Sequence, residues 1–360
     1  MGPRPRSSRS GRVLLVLGLL IASSCTGREA DRSEPPEPSI DPGLRGKILV
    51  AGGFNPGAPW GGLRVVDVAT EVESQIQIPS AHVILAGAFR SDGSIIGMVE
   101  DGRGRVRAYG VSVEEPARPL SPPIPPGVSE FSFEFSVDGN ILLAADCDGG
   151  ERGYTLDLER PFAWRRVTAP CLATLSPDGR MIAGSPDGRT IVTSPADRRG
   201  PAEPMVDLTD LEGLPPGVAE DPEIVGTLAW GEAGLAAVVA GGSRLAVVTV
   251  GPDGSVAIVG IGDSSAGFRT SLAWEPADAG IAVASETHTE SVVRSLDPAS
   301  GGGSVLGLSD EPISNLVWSP SGDALLVATV FSWVYVDPTG EWLRKVPVNR
   351  SRGTPVGWSI

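Results

Sequence analysis

The sequence predicts an all-β protein: a seven-bladed β-propeller closed by pairing of the C-terminal strand with the first blade. Three observations predict it. Seven segments share one plan, an apolar strand ending in an aromatic or large residue, then usually a turn, then a second apolar strand. Their anchors are Phe89, Phe135, Leu175, Trp230, Trp274, Trp318 and Trp358, spaced by 46, 40, 55, 44, 44 and 40 residues. A period in the forties built from short strands is the mark of sheets repeated around an axis. Finally, "GKILVAGG" (Gly46 to Gly53) reads as a second strand with no first, and "TPVGWSI" as a first strand with no second. Pairing the two completes a ring and leaves no raw sheet edge at the join.

Residues 1–24 read as a signal peptide. "MGPRPRSSRSGR" is basic, and "VLLVLGLLIA" is a ten-residue apolar run, too short to cross a bilayer. "ASSC" follows, Ala22 to Cys25. Small residues before a cysteine at this place resemble the lipobox of bacterial lipoproteins, although Ala22 stands where leucine is commonest. The resemblance implies lipid transfer to the Cys25 thiol, cleavage before it, and an acylated N-terminus that holds the protein to a membrane. Without it, the stretch is an ordinary secretory signal. Residues 25–43 carry Pro, Glu and Ser with no apolar period, as a flexible tether does. The propeller is expected over 44–360, outside the cytoplasm in a bacterial cell envelope.

Each blade has a legible plan. "RSDG", "SVDG" and "SPDG" place Asp-Gly between strands A and B, where Gly accepts positive φ and Asp bonds the local backbone. Strand C follows, as in "LRVVDVAT", "GYTLDLER" and "WVYVDPTG", often ending in Asp before a turn. Strand D is more polar, as in "SQIQI" and "EWLRKVPV", because the outermost strand meets water. The "SPDG" turn occurs twice in blade four, nine residues apart, so the second copy (Ser185 to Gly188) is assigned to the B–C turn. The 55-residue spacing comes from "DLTDLEGLPPGVAEDPEIV" (Asp207 to Val225), an acidic insertion with a short helix expected at its start, either a binding surface or a passive loop. These units resemble the WD40-like repeats of TolB-type propellers. They lack the Trp-Asp dipeptide and Gly-His start of true WD40 repeats, so the resemblance implies a fold and not one activity.

The formal charge is −15. With the four arginines of the first 25 residues set aside, 25 basic residues face 44 acidic ones, a net of −19. Such a surface repels phosphate backbones and anionic lipid, which excludes nucleic acid as a partner and leaves the acyl anchor as the membrane contact.

Cys147 ends strand B of blade three and Cys171 opens strand A of blade four. B–C and D–A loops emerge on one face of a propeller, so the two can form a disulfide, permitted outside the cytoplasm. Two buried free thiols are the alternative. His82 and His288 lie on the same face, in blades two and six with two blades between them, and read as solvated loop residues.

No Gly-x-Ser-x-Gly, His-Glu-x-x-His or P-loop occurs, and spacing assembles no nucleophile with a base. Candidate ligand-face residues are Phe54 and Trp60, on the long Gly/Pro loop 52–62, the acids Glu130, Asp146 and Asp148, and His288. Phe54 and Trp60 could instead fold back over the core. "DCDGG" (Asp146 to Gly150) resembles half a calcium loop without its closing Glu, or is a polar turn. No cofactor is expected beyond that calcium. The reading that emerges is a membrane-anchored binding or scaffold module for an envelope protein, peptide or glycan. Its alternative is a lactonase-like hydrolase or lyase with a carboxylate metal site at the channel mouth.

Overall fold

A computed structural model describes residues 44–51, 62–78, 82–125, 131–148, 151–160, 163–226, 228–263, 270–276, 280–286, 290–329, 331–347 and 354–359. They form seven antiparallel sheets arranged as a seven-bladed propeller, with a single short 3₁₀ helix among them. Strands A to D run from the inside outward in each sheet. In blade two they are Val83–Phe89, Ile95–Glu100, Val106–Val111 and Arg118–Pro119. In blade three they are Phe131–Phe135, Ile141–Asp146, Arg152–Asp157 and Arg165–Thr168.

Seven separate apolar cores occupy the seven seams between neighbouring blades. The seam between blades one and seven joins Ile48, Val50 and Val66 to Leu326, Ala328, Trp333 and Tyr335. A core at every seam, this one included, is what a closed ring requires. The B strands, buried on both sides by adjacent seams, are accordingly apolar along most of their length: all eight residues of Gly234–Gly241 are buried.

Closure is made as expected from the two incomplete repeats. Thr354–Ser359 is strand A of the sheet whose strand B is Lys47–Ala51, with Ile48 opposite Trp358 and Lys47 opposite Ser359. The Trp358 indole N–H donates to the Arg45 carbonyl at 3.0 Å, and its ring meets Tyr335 edge-on at 5.7 Å. Gly46 makes the approach possible: at φ +104° a Cβ there would sit 2.1 Å from the Ser359 carbonyl oxygen. At the outer rim of the same seam, buried Arg344 of blade seven donates to the Val68 carbonyl at 2.9 Å and pairs with Glu71.

The anchor tryptophans have a second use. Trp274 donates to the Ala229 carbonyl at 3.0 Å, and Trp318 to the Ala273 carbonyl at 3.2 Å. Each indole therefore reaches back to strand A of the preceding blade. This satisfies the ring N–H, which a part-buried indole needs, and sets the spacing between blades.

The turn chemistry follows the sequence. In blade three Asp138 accepts from the Ser136 hydroxyl at 2.6 Å and the Asn140 N–H at 3.0 Å. The second "SPDG" copy lies between strands Met181–Gly184 and Thr190–Pro195, the B–C position. One feature differs, and a second follows the expected helix into the core. Strand A of blade four is only Thr174–Leu175, so Cys171 sits in the turn before it. The acidic insertion starts with the 3₁₀ helix Leu208–Asp210, with Asp207 accepting at its N-terminus. It then turns Leu208, Leu214 and Val218 into the core between blades four and five. It ends by adding the short strand Glu223–Ile224 beside Gly234–Gly241. Its acids are the solvent face of a segment that fills a seam.

Candidate functional site

A cavity of about 830 Å³ is lined by the innermost strands, along the ring's axis. Its wall is built from the innermost strands of blades one, two, three and seven, and its lining reaches the A–B turns at Arg90 to Gly93, Ser136 to Val137 and Pro320. It therefore extends to the face opposite the D–A and B–C loops, where the sequence placed the ligand surface. Several loops of that other face, 52–61, 126–130, 149–150, 264–269 and 287–289, lie outside the described residues. Phe54, Trp60, Glu130 and His288 fall among them, and Cys25 lies in the undescribed 1–43.

Most of the wall is apolar. Phe89, Phe133, Phe135 and Trp358 line it, together with Leu85, Val137 and Val356, which are 40%, 78% and 38% exposed. Alternation places these groups. In strand A of blade three, "FSFEF", the three phenylalanines pack toward blade two. Ser132 and Glu134 take the other side, toward blade four. There Ser132 Oγ accepts the Leu172 N–H at 3.1 Å, and the Glu134 carboxylate accepts from the Thr174 hydroxyl.

Glu134 is the group that sequence reasoning missed. Burial in this seam pushes its carboxyl up to about 7, against which the Thr174 hydrogen bond acts only in part. The signal was present: none of the other six anchor strands carries an acid. An acid alternating with aromatics on an innermost strand can face only a seam or the channel.

The sign of the shift makes a prediction. A carboxyl with a native value near 7 and an unfolded value of 4.5 binds a proton in the folded state over that window. Stability is then greatest below pH 4.5 from this group, and falls as pH rises toward 7. The side chain is part-exposed, so the cost of ionisation is discounted to on the order of 2 kcal/mol. Glu134→Gln is expected to raise the melting temperature at pH 8 and leave it unchanged at pH 4.5. An equal change at both pH values would refute the assignment.

The other charged and amide side chains of the wall are engaged. Arg90 Nε and Nη2 donate to Asn140 Oδ1 at 2.9 and 2.5 Å, and Nη1 lies 3.6 Å from Asp92 Oδ2. Asn315 donates to the Pro355 carbonyl at 2.7 Å and accepts from the Ser271 hydroxyl at 3.1 Å.

Of the acids proposed from sequence, Asp146 is buried and committed. Its Oδ2 accepts from Arg152 Nε and Nη2 at 2.8 and 2.5 Å, and its Oδ1 from the Asp148 N–H at 2.9 Å. An acid at the end of strand B here meets the arginine that opens strand C, and together they close their own hairpin. Asp148 is exposed on the same turn. Cys147 and Cys171 are bonded, with Cα atoms 4.8 Å apart, and staple blade three to blade four. His82 is part-buried, its ring 6.2 Å from Tyr109. Among the described residues, no group of three or more His, Cys, Asp or Glu is placed to hold a metal ion.

Seven sheets, seven seams and a closing strand define the class: a β-propeller. Solved structures agree. A putative 6-phosphogluconolactonase from Bacteroides uniformis aligns with TM-score 0.56 at 13% identity, covering 85% of this chain and 97% of that one. An oligogalacturonate lyase from Vibrio parahaemolyticus aligns with TM-score 0.52 at 14% identity, covering 86% and 90%. The β-propeller domain of Cps50 (Swd1) from Myceliophteria thermophila aligns with TM-score 0.51 at 13% identity, covering 76% and 88%. At these identities the likeness is one of fold. No family model and no curated protein matches the chain.

Proposed function

We propose that the protein is a membrane-anchored, extracytoplasmic propeller that binds an envelope protein, peptide or glycan, and that part of this ligand enters the axial channel. The observation that carries the binding half is the 830 Å³ cavity walled by aromatic and exposed aliphatic side chains on a rigid ring. The anchoring half rests on the basic and apolar leader and on Cys25. Rigid propellers present such cavities without reorganising, so little ordering cost opposes binding.

Two experiments test the halves separately. Labelled palmitate is expected to enter the full chain in a bacterial host and to be absent from Cys25→Ser; label in both would remove the anchor. For the channel, the purified domain would be applied to peptide and glycan arrays beside a Leu85→Arg variant that obstructs the wall. Specific hits lost in the variant support the reading. Hits indifferent to the obstruction, or no hits, defeat it.

The enzymatic alternative, a lactonase-like hydrolase or lyase, draws on Glu134, whose value near 7 suits a proton donor or acceptor at neutral pH. It would need a second group on the substrate's other side. The other ionisable groups of the described lining are Arg90 and Asp92, which face each other. Stoichiometric metal in the purified domain would favour this alternative, since it would mark a carboxylate site of the kind such an enzyme uses.

A further inference from the structure

We propose that the portion of the ligand entering the channel carries a cation, an ammonium or guanidinium group, and that Glu134 is its counter-ion. This rests on the channel reading above and specifies the chemistry of its ligand.

Three observations converge. First, the acceptors of the wall differ in what remains open to a ligand. Asn315 is held by protein partners, and Arg90 and Asp92 answer each other across 3.6 Å. Glu134 takes a single hydroxyl, from Thr174, out of the roughly four lone-pair positions that a carboxylate offers. Second, the cavity that Glu134 lines is otherwise mostly apolar and aromatic. A part-buried carboxylate there keeps only some of its water and has no cation beside it among the described lining residues, a cost that an incoming charge offsets and a neutral ligand does not. Phe133 and Phe135, on the blade-two side of the same strand, line this cavity together with Phe89 and Trp358. Ring faces of this kind favour ammonium and guanidinium groups. Third, the chain carries a formal charge of −15, a field that draws cations to its surface.

The charges facing Glu134 are few. Thr174 comes from blade four, and Arg90 and Asp92 from blade two form a pair of no net charge. Blades one and seven contribute Trp358, Val356, Asn315 and Pro320 to the lining, none of them ionisable. Among the described lining residues, a cation in the channel therefore meets one acid with no basic partner.

The test uses random heptapeptides displayed on phage, panned at pH 8 over the wild-type domain, Glu134→Gln and Leu85→Arg, each first shown to melt cooperatively. The wild-type pool is expected to be enriched in Lys, Arg or free amino termini. That enrichment should disappear with Glu134→Gln, and single selected peptides should bind it about thirtyfold or more weakly, as when a desolvated charge loses its partner. Synthetic peptides with acetylated N-termini then separate a terminal amine from a basic side chain. A pool selected without basic groups, or basic enrichment that persists in Glu134→Gln, overturns the counter-ion while the channel reading stands. A pool unaffected by Leu85→Arg, or no enrichment at all, overturns both.

Discussion

Deleting residues 353–360 is expected to abolish cooperative melting of the domain. The segment contains strand Thr354–Ser359, the inner partner of Lys47–Ala51, and it supplies buried Trp358 to the seam between blades one and seven. Burying an indole of 150–250 Å² is worth about 4–6 kcal/mol. That alone is comparable to the ~5–15 kcal/mol that separates folded from unfolded domains. The deletion also exposes a bare strand edge and the Leu326, Trp333 and Tyr335 face of blade seven, a surface prone to association. Calorimetry and light scattering would read both effects. Trp358→Ala keeps the strand while removing the ring, and is expected to cost about 3–5 kcal/mol with melting still cooperative. A truncated chain that melts like the intact one would show that the ring does not depend on its join.

The second large effect concerns the disulfide. Cys147 and Cys171 close a loop over a separation of 24 residues, which contributes about 3 kcal/mol on the chain-entropy model. Its position gives it more to hold than the average bridge. Blade four has the shortest inner strand, Thr174–Leu175, and the core between blades three and four has few members. Three links tie the segment 171–175 to blade three: the disulfide, the Leu172 N–H on Ser132, and the Thr174 hydroxyl on Glu134. Reduction is expected to lower the unfolding free energy of the wild type by that amount, read as a fall in the denaturant midpoint. The double variant Cys147→Ser, Cys171→Ser should start at the reduced value and ignore the reductant. Equal midpoints for wild type with and without dithiol would mean that the bridge stabilises nothing. Because Thr174 lies three residues beyond Cys171, reduction should also move the titration of Glu134.

Asp146 shows what spacing leaves open. Its place in "DCDGG" suggested an outward-facing acid, but no rule of spacing could foresee that Arg152, six residues on and across a hairpin, would take both charge-bearing contacts. The insertion 207–225 is a second case. Its acids drew attention in one dimension, while its three apolar residues decided its place in the fold. Glu134 is the converse: visible as the lone acid of the anchor strands, yet without meaning until the neighbours of that strand were known.

What this chain's sequence determined unaided is what local chemistry decides. The seven repeats, the Asp-Gly turns, the second "SPDG" as a B–C turn and the strand exchanged between the two ends all depend on residues near one another or on a repeated pattern. Tertiary structure alone decided which strand faces meet the axis, which end of the channel the described cavity reaches, and which acids remain unpaired. Those outcomes depend on contacts between blades some forty residues apart, made by side chains whose direction is set by twist and packing and not by spacing.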